Sequence, residues 1–159
     1  HPDLNAIMLD DNTIRRYTGV NLAVAVDTPR GLMVPVIFGA DKKSLVEISK
    51  ELKQLAADAR SGSINPDLLR GGSFTVSNLG AFGVESFTPV INPPQTGILG
   101  VCNITPKARQ TASGGYEFYP AMGLSLTYDH RAVDGAPAAK FAKELCANLE
   151  NFTALLMKG

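Results

Sequence analysis

The sequence predicts an α/β domain built as a mixed β-sheet with flanking helices. Three observations carry that prediction. Short β-branched and apolar runs bounded by turn residues recur along the chain, one long helix-period segment interrupts them, and a second closes the sequence. Strands separated by a long helix can pair in parallel, whereas strands joined by tight turns pair antiparallel, so both kinds of pairing are expected around one core.

Strands come first. Asn5 to Asp10 and Thr13 to Tyr17 flank Asp10-Asp11-Asn12, a turn-forming cluster, and read as a hairpin. Val20 to Val26 predicts another strand, and Thr28-Pro29-Arg30-Gly31 turns the chain into Leu32 to Phe38. Pro35 lacks an amide for a ladder, which puts that run at an edge or a bulge. Ser44-Leu45-Val46-Glu47 fits a capping box, and Leu45, Ile48, Leu52, Leu55, Ala56 and Ala59 follow at helical spacing. Ser61-Gly62 ends that helix. Asn65-Pro66 opens a short second one, and Gly71-Gly72 leads into a β-like run from Ser73 to Ser77. Phe87 to Ile91, Ile98 to Ile104 and Glu117 to Thr127 predict further strands, separated by Asn92-Pro93-Pro94 and Ser113-Gly114-Gly115. A last helix from about Ala136 to Phe152 carries Phe141, Leu145, Leu149 and Phe152 as its buried stripe. No internal repeat or low-complexity linker breaks the single domain.

Composition narrows the function. The 159 residues are 45% hydrophobic and 19% charged, ordinary for a soluble globular protein, and long enough for a real core. Fifteen basic residues balance fifteen acidic ones, and no basic stripe with interleaved aromatics suggests a nucleic-acid partner. The apolar runs are too short to span a membrane. Cys102 and Cys146 are far apart and in no CxxC pattern, so they read as free thiols, and no metal site is expected. The opening His1-Pro2-Asp3-Leu4-Asn5 has no initiator Met and no apolar signal core, and reads as the start of a piece of something longer.

The segment richest in chemistry is Tyr128-Asp129-His130-Arg131-Ala132-Val133-Asp134-Gly135, which joins a predicted strand to the final helix. Spacing alone leaves two readings. Asp134 can simply cap the helix and His130 be a polar loop residue, or the loop can hold a catalytic base.

Asp129-His130-Arg131-Ala132-Val133-Asp134-Gly135 resembles the DHRxxDG active-site signature of the dihydrolipoyl acyltransferases, matching every fixed position. Gly71-Gly72-Ser73-Phe74-Thr75-Val76-Ser77-Asn78-Leu79-Gly80 is similar to that family's GGTFTISNLG stretch, and Ile91-Asn92-Pro93-Pro94-Gln95 to its INPPQ. The three blocks occur in the family's order, and related patterns run from Asn5 almost to Leu156. The resemblance implies the coenzyme A-dependent acyltransferase (chloramphenicol acetyltransferase-like) fold. It also implies that residues 1–159 are a catalytic domain lacking its N-terminal portion, with lipoyl and subunit-binding domains upstream.

What the resemblance implies about chemistry is specific. An acyl group, most simply acetyl, passes between dihydrolipoamide and coenzyme A, the lipoyl group riding on a separate domain and no metal taking part. A free thiol has a pKa of about 8.5, so a base is needed near neutral pH. An imidazole with an ordinary value of about 6.5 is suited to the task, and the resemblance assigns His130 to it. The resemblance gives Ser77 the developing oxyanion, a donor role worth roughly 3 kcal/mol. Its alternative is a strand-end serine bonded to its own backbone. Asp134 belongs to the same signature and either orients the imidazole or, the favoured role, holds the loop through a buried ion pair with an arginine. Gly80 and Gly83 either turn the backbone sharply near the substrate channel or are ordinary turn glycines.

Resemblance further implies a homotrimer that builds a larger core, with base and serine from neighbouring subunits. The implied partners are lipoyl domains, a 2-oxoacid decarboxylase and a dihydrolipoyl dehydrogenase, in bacterial cytoplasm or the mitochondrial matrix. The rivals are a non-catalytic structural core, a succinyl or branched-chain acyltransferase, and chloramphenicol acetyltransferase. The last typically has a second histidine directly before the catalytic one, where this chain has Asp129.

Overall fold

The computed structural model describes residues 1–157. The chain opens with the hairpin β1 (Ala6–Asp10) and β2 (Thr13–Arg16). It continues through β3 (Leu22–Val24), the small hairpin β4 (Val26–Thr28) and β5 (Gly31–Met33), and β6 (Val36–Ile37). Helix α1 (Leu45–Ser61) precedes β7 (Phe74–Asn78), β8 (Gly97–Gln110), β9 (Tyr116–Tyr128), α2 (Gly135–Glu150) and α3 (Phe152–Leu156). The main sheet has the order β6-β3-β7-β8-β9. Its three central strands are parallel and both edge strands antiparallel, so the sheet is mixed as expected.

Two parallel neighbours for β7 require long crossovers, and α1 lies in the first. The capping box forms. Ser44 Oγ accepts the Glu47 amide at 3.3 Å, and the Glu47 carboxylate accepts the Ser44 amide at 2.8 Å. Leu52 and Leu55 then pack with Ile37, Ala40 and Leu22. Leu22 and Phe74 are lateral partners, so their side chains share one face of the sheet. On that same face Phe74, Leu126 and Phe141 of α2 close around Leu4, Val133 and Ala138. Both long helices therefore cover one face. The opposite face presents the buried rung Ala23, Thr75 and Ile98, and one rung further on, Ser77, Gly100 and Ser125.

Four expectations change. The Val20 to Val26 strand is cut at Ala25, whose amide bonds the Val76 carbonyl, so β3 and β4 belong to different sheets. Phe87 to Ile91 forms no strand: Pro89 removes a ladder donor, and the segment lies over the sheet instead of within it. β8 runs past Ile104 to Gln110, through polar residues that hide a strand pattern but are matched by ion pairs of Lys107 with Glu85 and Arg109 with Glu117. The final helix breaks at Asn151, and its expected stripe is only half buried, Phe141 packing inward while Leu149 and Phe152 stay exposed.

Candidate active site

The loop after β9 is held from below and from the side. The Asp129 amide donates to the Thr96 carbonyl at 2.8 Å, and the Asp129 carbonyl accepts the amides of Ala132 and Val133 at 3.0 Å. Val133 is buried against Leu4 and Ala138, which pins the middle of the loop to the core. The Asp129 carboxylate accepts Nε and Nη2 of Arg131, the latter at 2.7 Å, and the Arg131 amide at 3.0 Å. Arg131 Nη1 reaches across to Asp11, in the β1–β2 turn, at 2.5 Å. These bonds, Arg131's side chain foremost, hold the Asp129 carboxyl below the usual carboxylate range.

His130 and Asp134 project from this frame. Their side chains are 71% and 85% exposed, and His130 Nδ1 stands 3.8 Å from Asp134 Oδ1. That distance is ion-pair contact rather than a hydrogen bond. The Tyr128 ring lies 5.7 Å from the imidazole. Asp134 occupies the position before α2, yet its side chain makes no capping bond, which leaves the carboxylate beside His130. The expected buried pair of Asp134 with an arginine is not formed in this chain: Arg131 spends its donors on Asp129 and Asp11, and Asp134 is exposed.

Ser77 sits elsewhere, on β7 opposite Gly100 of β8. The residues around it are fixed by buried polar bonds. Thr75, two positions back on the same face, donates to Gln95 Oε1 at 2.5 Å, and both are buried. Buried Ser73 Oγ donates to Asn5 and accepts the Asn21 amide. Past Ser77, Asn78 Oδ1 accepts the Gly80 amide at 2.9 Å. A Cβ on Gly80 would stand 2.5 Å from the Cys102 carbonyl oxygen, so only glycine lets this turn lie flush on β8, and Gly83 completes it at φ +75°.

Two grooves meet at Ala25, Leu32 and Ser77. One, of about 390 Å³, lies on the Ser77 side-chain face under Phe87, Val90 and Ile91. The other, of about 380 Å³, runs toward α1 and includes Asp27, Arg60 and Asn78. Neither is lined by His130 or Asp134. β9 ends at Tyr128 opposite Gly97, whereas Ser77 lies opposite Gly100, one strand further over. Two strand spacings and about five residue rises put the serine and the histidine on the order of 20 Å apart. One chain thus unites His130 with Asp134 but not with Ser77.

Sequence reasoning missed the partners that hold these residues, namely Thr75 with Gln95 and Asp11 with Arg131. The first pair was signalled, because both lie in recognisable blocks; the second was not. Among the described residues no group of His, Cys, Asp or Glu is arranged to hold a metal.

A family model described as the 2-oxoacid dehydrogenases acyltransferase (catalytic domain) matches residues 1–157. A dihydrolipoyllysine-residue acetyltransferase component of the pyruvate dehydrogenase complex from Cupriavidus necator is 43% identical over 98% of this chain and 28% of its own length. A dihydrolipoyllysine-residue succinyltransferase component of the 2-oxoglutarate dehydrogenase complex from Haemophilus influenzae is 40% identical over 99% of the chain and 38% of its own length. The chain thus spans well under half the length of these relatives. Among solved structures, two match with a TM-score of 0.92 at 38% identity, covering 98% of this chain and 64% of theirs. One addresses the role of a serine, a histidine and an asparagine in the catalytic mechanism of Azotobacter vinelandii dihydrolipoamide acetyltransferase. The other is the cubic core of the pyruvate dehydrogenase multienzyme complex. Sequence, fold and motif placement all converge, and the chain belongs to the catalytic-domain family of the 2-oxoacid dehydrogenase acyltransferases.

Proposed function

We propose that residues 1–159 are catalytic-domain sequence of a dihydrolipoyllysine-residue acetyltransferase, moving an acetyl group between dihydrolipoamide and coenzyme A. His130 takes the proton of the attacking thiol. The thiolate sulfur forms a bond to the thioester carbonyl carbon, and Ser77 donates to the oxygen as it becomes negative. Collapse breaks the original carbon–sulfur bond, and the imidazolium returns its proton to the departing thiolate. One thioester and one thiol become another pair, with no redox change and no metal. Asp134, 3.8 Å from the imidazole, is placed to orient it.

The observation that carries this reading is the separation of the two halves of the site. A histidine–aspartate pair faces outward on one loop, and the serine sits at the junction of two grooves on another strand. A second copy of the chain completes the site across a closed interface, in a trimer that builds the larger core. Exposed Ile104, Phe118 and Met122 on the distal β8–β9 hairpin support burial against other subunits. In the Azotobacter relative the asparagine follows the histidine by four positions, the spacing of His130 and Asp134. Its serine precedes that histidine by 52 positions, against 53 for Ser77 and His130. Lipoyl domains, a 2-oxoacid decarboxylase and a dihydrolipoyl dehydrogenase are the partners, and coenzyme A and the lipoyl group the substrates.

The test mixes two dead subunits. Full-length His130→Ala and Ser77→Ala proteins are co-refolded in equal amounts, with subunit exchange verified by mass spectrometry. Random mixing in a ring repairs about a quarter of sites when the two residues come from neighbours. Activity above the mean of the two variants is the expected result, and activity at that mean in a verified mixture overturns the shared site.

A further inference from the structure

Ser77 has an unusual neighbour. Its lateral partner on β8 is Gly100, and a Cβ at Gly100 would stand 2.7 Å from Cζ of Phe87 and 3.0 Å from Cε1. The Phe87 ring therefore rests on bare backbone, one strand spacing (about 4.8 Å) from the serine and on the same face. This is also where the irregular segment that fails to become a strand finds its purpose: it lays an aromatic wall over the groove. Ile98, one rung below, and Val34 close other sides, and none of the groove's lining residues carries a charge. The groove on the α1 side differs, with Asp27 and Arg60 in its wall.

Building on the assignment of Ser77 as the oxyanion donor, we propose that the uncharged groove is the acyl subsite and that the Phe87–Gly100 pair limits it to a short, neutral acyl group. A thioester oxygen bonded to the Ser77 hydroxyl places the acyl carbon chain on the face where that side chain projects. The chain then meets the Phe87 ring within a bond or two. An acetyl methyl fits against the ring. A branched group presses on it. A succinyl chain carries its carboxylate into a lining that offers no cation to replace the lost water, and the ion is disfavoured there. Selection among acyl groups thus rests on two features, the position of an aromatic ring and the absence of a charge.

The experiment measures kcat/KM of the complete acyltransferase subunit for acetyl-, isobutyryl- and succinyl-coenzyme A with dihydrolipoamide as acceptor. The intact enzyme should favour acetyl over succinyl by at least about 100-fold, within the range that buried groups left unpaired impose. Phe87→Ala opens the wall and should raise the isobutyryl-to-acetyl ratio by about 10-fold or more, as a few added or removed carbons do in an apolar pocket. Gly100→Ala pushes the ring toward the groove and should lower that ratio. Val34→Lys supplies a cation and should raise the succinyl-to-acetyl ratio about 10-fold. Succinyl turnover within threefold of acetyl in the intact enzyme overturns the proposal, as does a Phe87→Ala ratio unchanged from the parent. Either result leaves the acyltransferase reading standing. Turnover with none of the three thioesters overturns both. Because ratios are read within one preparation, partial misfolding of a variant does not mimic the expected shift.

Discussion

The two halves of the site are built in opposite ways. Around Ser77 the framework is buried: Thr75 and Gln95 bond each other out of water, and Ser73 ties β7 to Asn5 and Asn21. Around His130 the framework is at the surface, where Arg131 joins Asp129 and Asp11 and the reactive pair points outward. Buried polar bonds fix geometry because leaving one partner alone costs its full desolvation. Exposed ion pairs are screened and worth little individually. The surroundings of Ser77 are thus fixed by buried bonds within one chain, whereas those of His130 rest on surface contacts, which in the proposed shared site a second copy of the chain would cover.

The sharpest way to probe that difference is to remove the reactive groups. His130→Ala in the full-length protein should lower acyl transfer by about 10²–10⁴-fold, the usual effect of a positioned base, with coenzyme A affinity nearly unchanged. Ser77→Ala should cost about 10²–10³-fold in kcat, as loss of one oxyanion donor does. A His130→Ala enzyme with normal turnover, or a Ser77→Ala enzyme changed only in KM, would remove that residue from the mechanism.

The next largest effect should fall on stability and on one half only. Thr75→Val keeps the volume but leaves Gln95 Oε1 buried without its donor, which should destabilise the fold by about 1–3 kcal/mol. Denaturant unfolding of the complete subunit, monitored on the catalytic domain, measures it. A variant as stable as the parent would mean that the polar layer beneath Ser77 is not what holds β7.

How much of this was legible in the sequence follows the same division. The capping box, the first hairpin, Pro35 at the margin of an edge strand and the mixed sheet were readable because local chemistry and hydrophobic period agree there. The motif residues could be named because they stand in contiguous blocks. Their arrangement could not, since only strand order and register reveal that His130 follows β9 and Ser77 lies on β7, at opposite ends of the sheet with β8 between them. Phe87 to Ile91 misled because its apolar side chains line a groove rather than a ladder. The outer half of β8 was invisible because exposed hairpins need no apolar face. Leu149 and Phe152 keep a helical stripe that is only partly covered among the described residues, where a periodic pattern reports a wish for burial without naming the partner.

The mildest expected effect tests the surface framework. Asp129 is held below the usual carboxylate range chiefly by the hydrogen bonds of Arg131, so the ion pair favours the folded loop with its carboxylate charged. The stabilisation is complete above the ordinary carboxylate value of about 4 and fades as the pH falls through that value toward the lowered one. Amide exchange of Arg131 to Val133, measured in the full-length protein, should quicken relative to β7 as the pH is taken down through that window. Comparison with the intrinsic exchange rate at each pH separates the loop's opening from the chemistry of exchange. Asp129→Asn should show the faster opening at neutral pH and lose the pH dependence. Asp11→Asn, which removes only the outer contact of Arg131, should change little, and added salt should erase the difference, because that contact is exposed and screened. Equal effects of the two substitutions would mean that the β1–β2 turn, and not the Asp129–Arg131 pair, holds the histidine loop in place.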